Sequence, residues 1–541
     1  MANHAWFSRQ SSPPPKLARS AWAPFRHIVF KRLWIATVAS NIGAWMYSAA
    51  ASWLMTSLDP HPVMVALVQA VTSLPMFLFA IPAGALADII EKRRFVLILE
   101  IGVAAVAAMF ATLLSLGLAG PQTLLAFVFL VSTFSALEAP AWQAIVPQLV
   151  PTEDLPAAVA ANSVGVNISR AIGPALAGAL IGTVGITAPF WIDVFSNVGV
   201  IAVFARWRPR QGRRSALPVE RFAGAVRTGF RYAIYNRPLR NTLGRSVGFF
   251  LFASAYWALL PLIARNQIAG GPALYGVLLG AIGAGAVGCA FVLPRLRARL
   301  GADGLIVLGE LGTAITLVLL GLAKEPLIGA CACIIGGMSW IAAISALNIS
   351  AQVSLPDWVR GRGLAMYVTV FFGSMTFGSL IWGEAAGVFG LSTTHFIAAA
   401  GSLAAIPLTW RWRLQAGEAL DLTPSMDWPE PVIAAPVPGD AGPVLVTIEY
   451  HVEPSKRNAF LRALATLARE RKRDGAYDWG IFEDAAERGR FTETFLVESW
   501  LEHLRQHERV TKADRIIQQR VRHLLQNDPV VKHLISAEPR D

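Results

Sequence analysis

The sequence predicts an all-α membrane protein of twelve transmembrane helices in two six-helix halves, followed by a small α+β ferredoxin-like domain. Three observations predict it. Twelve long apolar stretches lie between Leu33 and Trp412, Lys and Arg collect on alternate connecting segments, and strand and helix periodicities of a water-exposed unit begin after Pro443. A bilayer core about 30 Å thick needs roughly 20 apolar residues per helix, and cytoplasmic loops carry the excess Lys and Arg. Cations cluster before span one, after spans two, six, eight and ten, and after span twelve. That pattern places both termini in the cytoplasm of a multi-pass cell-membrane protein, with a bacterial cytoplasmic membrane as the expected site.

Taken in order, residues 1–32 read as a disordered basic tail, with Ser-Ser-Pro-Pro-Pro-Lys at Ser11 to Lys16 and no signal-peptide pattern. The first half, 33–205, carries spans at 33–57, 63–90, 95–117, 122–147, 155–183 and 187–205. A basic cytoplasmic loop, 206–243, precedes the second half, 244–412, with spans at 244–266, 272–293, 303–322, 326–352, 363–388 and 392–411. A Pro-rich linker, 413–443, leads to the last domain, 444–536.

Composition narrows the function classes. Hydrophobic residues make up 54% and charged residues 15%, against about 25% charged in soluble domains. The net charge of +12 is distributed as the positive-inside rule requires, and the run Arg206 to Arg214 faces anionic headgroups. No nucleic-acid partner is expected. Cys289, Cys331 and Cys333 lie inside apolar spans without ligand spacing, so neither disulfides nor a zinc site is expected. No GxxxxGK[ST] loop is present, which disfavours ATP drive from within the chain.

Small residues recur at four-residue spacing in span five (Gly165, Ser169, Gly173, Ala177) and span eight (Gly276, Gly280, Ala284, Gly288). They let helices approach closely where lipid gives no hydrophobic drive. The segment after span two reads Gly84-Ala-Leu-Ala-Asp88-Ile-Ile-Glu91-Lys92-Arg93-Arg94. It resembles the signature of the major facilitator superfamily, with Ile89 and Glu91 departing from the pattern. The resemblance implies a cytoplasmic charge latch built from Gly84, Asp88, Lys92, Arg93 and Arg94, with Glu100 close enough to join it.

Pro140 to Pro147, Asn162 to Gly178 and Pro356 to Gly363 are similar to the enterobactin-exporter-like branch of transmembrane secretion effectors. The likeness covers the whole membrane region. Gly173-Pro174 followed by Gly178 is similar to the span-five motif of antiporters, which implies export and a hinge, since proline in a helix frees a carbonyl. The superfamily's usual span-four arginine is absent.

Ionisable residues inside spans are functional candidates by default. Glu138 in span four and Arg170 in span five could meet, at depths of roughly 14 and 22 Å from the cytoplasmic end. Such a pair is either a proton-coupled switch or a permanent ion pair. Asp193 in span six either exchanges protons near the outer surface or is an interface acid. Glu310 is the candidate of the second half, and Glu384 lies near an entrance. Asn41, Trp45, Asn162, Asn167 and Trp257 are the cavity candidates, suited to a bulky, partly apolar solute.

In the tail, Val446, Ile448, Tyr450 and Val452 alternate as a half-buried strand, and Phe460 to Ala468 repeat at helical spacing. Further strands near 477–482, 491–497 and 530–535, with helices between, give the order of a ferredoxin-like domain. It resembles the antibiotic-biosynthesis-monooxygenase fold, which implies a structural or homodimer-forming role, with ligand sensing as the alternative. His503 and His507 stand one turn apart on a helix and could bind a metal or haem, but no carboxylate or cysteine cluster completes a site. No metal, cofactor or catalytic residue is expected.

The reading that follows is a secondary active exporter of a bulky small molecule, a siderophore or drug, moving protons the other way by alternating access. The alternatives are a proton-coupled uptake symporter and a membrane-anchored sensor or enzyme acting through the tail. Twelve spans exceed what anchoring needs.

Overall fold

A computed structural model of the chain describes residues 22–151, 153–207, 222–415, 421–422 and 436–537. The first 21 residues, the basic run 208–214 and most of the Pro-rich linker lie outside them. Six helices come first: α1 (Ile28–Leu58), α2 (Pro62–Ile89), α3 (Lys92–Ser115), α4 (Pro121–Ile145), α5 (Leu155–Thr183) and α6 (Ala188–Arg206). Then follow α7 (Phe222–Tyr235), α8 (Arg237–Leu262), α9 (Pro272–Leu322), α10 (Pro326–Val353), α11 (Arg360–Phe389) and α12 (Leu391–Thr409). Proline opens α2, α4, α9 and α10, where its missing N–H would have had no helical partner.

Ten of these helices, α2–α6 and α8–α12, are long and apolar enough to cross a membrane. Two features separate that number from the twelve expected. The 31-residue α1 is outside it, its apolar run diluted by Thr37, Ser40, Asn41, Ser48 and Ser52. The expected spans eight and nine are one 51-residue element, α9, broken at Gly301 (φ 66°, ψ −173°). Glycine adopts positive φ without a Cβ clash, so the helix turns there without a loop, and Arg295 to Arg299 are helical. The predicted basic loop is also partly helical, since it contains α7 and the first turns of α8.

The halves meet through glycine. A Cβ on Gly178 of α5 would lie 2.6 Å from the Pro272 carbonyl oxygen and 2.9 Å from Gly276 Cα of α9. At the same end, Arg265 beyond α8 donates to Thr56 Oγ1 (2.9 Å) and Ser57 Oγ (2.7 Å) of α1. Trp53 of α1 stacks on Tyr275 of α9 at 5.8 Å. These contacts close the end of the bundle where α1 gives way to α2.

The tail folds as β1 (Val444–His451), α13 (Arg457–Asp474), β2 (Tyr477–Glu483), β3 (Arg490–Val497), α14 (Trp500–Arg509), α15 (Lys512–Arg522) and β4 (Val530–Ile535). The sheet order is β2-β3-β1-β4, antiparallel throughout. Val444, Val446, Ile448 and Tyr450 alternate into a core with Phe460, Leu464, Phe491 and Phe495, which is the period-two burial that the alternation requires. Arg473 is held by Asp474 (2.8 Å) and Asp514 (2.8 Å), and Asp514 also caps α15 with Thr511.

The tail sits on α7 and on the segment around Trp358 that precedes α11. Arg509 lies 4.6 Å over the Trp358 ring and Arg473 lies 5.6 Å over Tyr232. Glu502 of α14 faces Arg231 of α7 at 3.9 Å and pairs with Arg509, while Arg227 pairs with Glu498. Tyr232 is buried and packs edge-on against Trp358 at 5.7 Å.

Two outcomes follow. Gly276→Val forces a side chain into the α5 backbone, an overpacking cost of about 1–3 kcal/mol. It should lower the thermal midpoint of the purified protein, whereas Gly182→Ala, with open space around its Cβ, should not. In the tail, burial, reinforced by Asp514, pushes the Glu470 carboxyl up to about 9, and its Oε2 has no hydrogen-bond partner among the described residues. The unfolded chain ionises this group near 4.5, so it costs stability increasingly as pH rises from there towards 9. Glu470→Gln should therefore raise the tail's melting temperature by calorimetry at pH 8, with the gain vanishing towards pH 5.

Candidate functional site

Two adjoining cavities lie within the helical bundle. The first, about 470 Å³, is enclosed by the first half and lined by Asn41, Glu100, Glu138, Asn162, Asp193 and Asn197 among others. Glu100 and Asp193 are buried, and Glu100 and Glu138 line the same cavity. Ser40 donates to Asn197 Oδ1 at 2.6 Å. Asp193 Oδ1 is buried with no hydrogen-bond partner among the described residues. The local cause is Gly43 of α1: a Cβ there would lie 2.9 Å from Asp193 Cα. Only a glycine lets α6 bring that carboxylate so close to α1.

The second cavity, about 350 Å³, lies between the halves and is lined by Trp45, Arg170, Trp257, Trp340, Phe371 and Phe372 among others. Ala44, Ser48 and Thr72 line both cavities. The Arg170 guanidinium stands 5.2 Å over the Trp45 ring, a cation–π arrangement that desolvation strengthens. Gly173 makes it possible, because a Cβ there would lie 2.6 Å from Trp45 Cβ. The second cavity thus offers aromatic walls and one cation, and the first offers three carboxyls and amides.

The structure sorts the residues singled out from sequence. Asn41 and Asn162 line the first cavity, and Trp45, Arg170 and Trp257 the second. The expected meeting of Glu138 and Arg170 is not seen: Glu138 lines the first cavity with Glu100, and Arg170 lies on Trp45 at the second. The reason is helix order in space. The α4 helix packs on α2 and α3, and α5 packs on α1 and α9, so α4 and α5 are not close neighbours. Asn167 is exposed, its Nδ2 donating to the Ser163 carbonyl at 2.8 Å, and lies off both cavities. Glu310 is fully buried on α9 away from both, and Glu384 is exposed.

The cations assigned to the latch have the following partners among the described residues. Arg93 donates to the carbonyls of Phe204 (3.0 Å) and Ala205 (2.8 Å), the C-terminal turn of α6, where a cation is favoured. Arg94 pairs with Glu91 at 3.4 Å, Lys92 opens α3, and Gly84 has open space around it. The Asp88 side chain lies outside the described residues. Glu100, grouped with the latch from sequence, faces the first cavity instead. Gly173, Pro174 and Gly178 lie within an α5 helix continuous across the proline; they face α1 and α9.

Three constellations were missed from sequence. Arg245, fully buried, faces Asp303 at 3.5 Å and donates to the Thr409 carbonyl (3.3 Å), while Arg413 approaches Asp303 at 3.5 Å. Arg245 is the second residue of the expected seventh span, and nothing in the sequence marks it as buried. Asn197 of the first cavity is the second. The third is in the tail, where β4 brings His533 to His503 and His507, beside a cavity of about 710 Å³. Burial pushes the His503 imidazole down to about 3 and His507 to about 4, so both rings are neutral at pH 7.

Ten helices long and apolar enough to cross a membrane, packed around two interior cavities, form an architecture suited to a multi-pass membrane transporter. The family model described as "Transmembrane secretion effector" matches residues 19–541, and the chain belongs to that family, a branch of the major facilitator superfamily. It is similar to a Staphyloferrin A transporter of Staphylococcus aureus (strain NCTC 8325 / PS 47), 24% identical over 365 residues, 66% of this chain and 89% of that protein. Among solved structures it is similar to a POT family transporter in complex with a thioalcohol-conjugated peptide (TM-score 0.58, 11% identity, 71% of this chain and 95% of that one). An inward-facing bacterial homologue of the iron transporter ferroportin gives TM-score 0.53 at 14% identity, covering 71% and 98%. These structural likenesses concern the fold.

If Glu502 fastens the tail to α7, Glu502→Gln should speed amide hydrogen exchange in α7 and α14 several-fold while leaving β1 and β3 protected.

Proposed function

We propose that this protein is a proton-coupled exporter of a bulky, partly anionic small molecule of the siderophore type. It works by alternating access in a bacterial cytoplasmic membrane, with both termini inside. The observation that carries this reading is the adjacency of two chemically distinct cavities sharing the Ala44, Ser48 and Thr72 wall. One binds a solute with aromatic faces and the Arg170 guanidinium. The other holds Glu100, Glu138 and Asp193, and carboxyls gathered at one site disfavour one another's ionised form and favour holding a proton. The likeness to a siderophore transporter supports the solute class.

In this reading α1 and the two arms of α9 complete twelve spans in two halves. The end sealed by Arg265, Trp53 and Gly178 is the outside, so the solute reaches the cavities from the cytoplasm. Proton arrival at the acids neutralises them and releases α1 from α6, letting the halves rock about the α5–α9 contact. Asp88, with Lys92, Arg93 and Arg94, forms the cytoplasmic latch once the inner ends meet, Gly173 and Pro174 supply the hinge, and Glu310 acts with Arg245 in the second half. The tail is a ferredoxin-like domain of structural or dimerising role, its β4 edge exposing Val530, Val531 and Leu534 for a second copy.

Inverted vesicles under an imposed pH gradient test the proposal with carboxylate siderophores and drugs. Accumulation is expected to need the gradient and to fall strongly in Glu138→Gln and Asp193→Asn. Accumulation indifferent to both the gradient and those variants would overturn proton coupling. Arg170→Gln should weaken an anionic solute by about 10- to 100-fold, the value of a charge-assisted hydrogen bond, and leave a neutral one nearly unchanged.

A further inference from the structure

We propose that the C-terminal domain binds one divalent first-row transition-metal ion through His503, His507 and His533, with a coordination position left open to the cavity beside them. The sequence offered only two histidines on one helix; the fold supplies the third from the far end of the domain. On α14 the i, i+4 spacing puts His503 and His507 on one face, and Ser499 caps that helix by accepting from the Glu502 N–H at 3.2 Å. Their Nε2 atoms lie 3.2 Å apart. Two imidazole nitrogens bound at about 2.1 Å to a tetrahedral ion are about 3.4 Å apart, so this pair already has the spacing of two ligands on one ion.

His533, on the edge strand β4, brings its ring to 4.7 Å from that of His503. One ligand nitrogen from each of the three residues lies within 4.8 Å of the others. His503 is fully buried, and Trp500 packs against both His503 (5.5 Å) and His533 (6.1 Å). The cluster is therefore held on three sides by structure. A small inward shift of β4 brings His533 to ligand distance.

The donor set selects the ion class. Three neutral nitrogens without thiolate or carboxylate suit zinc, iron(II), cobalt, nickel or copper, and do not suit calcium or magnesium, which require oxygen. Glu502 does not complete the set, because it faces Arg231 and Arg509. The cavity of about 710 Å³ reaches the histidines and is lined also by Arg471, Arg522, Lys532 and Asp528. Its cationic excess favours an anionic oxygen donor, a carboxylate or similar group, in the fourth position. The face of α14 opposite the histidines carries the docking groups Glu502 and Arg509. An ion there stiffens the helix that holds the tail to the membrane domain.

The test uses the full chain in detergent, purified through a tag without histidine, stripped with chelator and titrated with Co(II), then Zn(II). Saturable binding of one Co(II) per chain is expected, with the visible bands of tetrahedral cobalt displaced by zinc, and no competition from Mg(II). His507→Gln and His533→Gln, both at partly exposed positions, should each weaken binding by more than about tenfold, the loss that even an outer-shell partner causes. Hydrogen exchange across Trp500 to Arg509 should slow when the ion binds the wild type. Absence of saturable binding by the wild type would overturn the proposal, as would affinity unchanged in both variants. Because the wild-type titration stands alone, a variant that misfolds does not protect the idea.

Discussion

A bilayer interior has no water to satisfy a polar group, and charges and amides placed there turn to partners or cavities inside the protein. This constraint organises the membrane region. The acids at 100, 138 and 193 gather around one cavity rather than scatter over lipid-facing surfaces. Arg170, the cation deepest in α5, lies over Trp45 at the wall of the other. Where a polar side chain does face outward, as Asn167 does, it turns back on its own helix and bonds the carbonyl one turn earlier.

Close approach of helices is the second requirement, and lipid supplies no hydrophobic force to produce it. Small residues do so at chosen points. Gly43 seats Asp193, Gly173 seats Trp45, and Gly178 with Gly276 joins the halves backbone to backbone. The same residues therefore build the cavities and the close backbone contact between α5 and α9. Arg265 and the Trp53–Tyr275 stack then hold one end shut. At the other end Arg93 is occupied with the last carbonyls of α6.

The tail is bound to this machinery by charge and aromatic surface. Arg231, Arg473, Glu502 and Arg509 interleave with Tyr232 and Trp358. Several of these groups are buried, and breaking one buried partner of such a set leaves an uncompensated charge. The α7 helix, hidden in what composition presented as a basic loop, is the surface that meets the tail.

Hydropathy, cation placement and alternation in the sequence determined the membrane class, the division at the basic segment and the strands of the last domain. Those properties depend on local periodicity and on transfer from water, which each residue carries with it. The partners of the buried charges were decided only by tertiary structure. Glu138 and Arg170 sit on consecutive helices, yet α4 and α5 pack on different neighbours, and no periodicity encodes which helices touch. The break at Gly301 looked like a loop because a single residue at positive φ leaves no hydropathy signal. His533 is separated from His507 by 26 residues, and only the antiparallel pairing of β4 with β1 brings them together. The sequence chose the groups and the medium; packing in three dimensions chose their partners, because contact across helices and strands is not a local property of the chain.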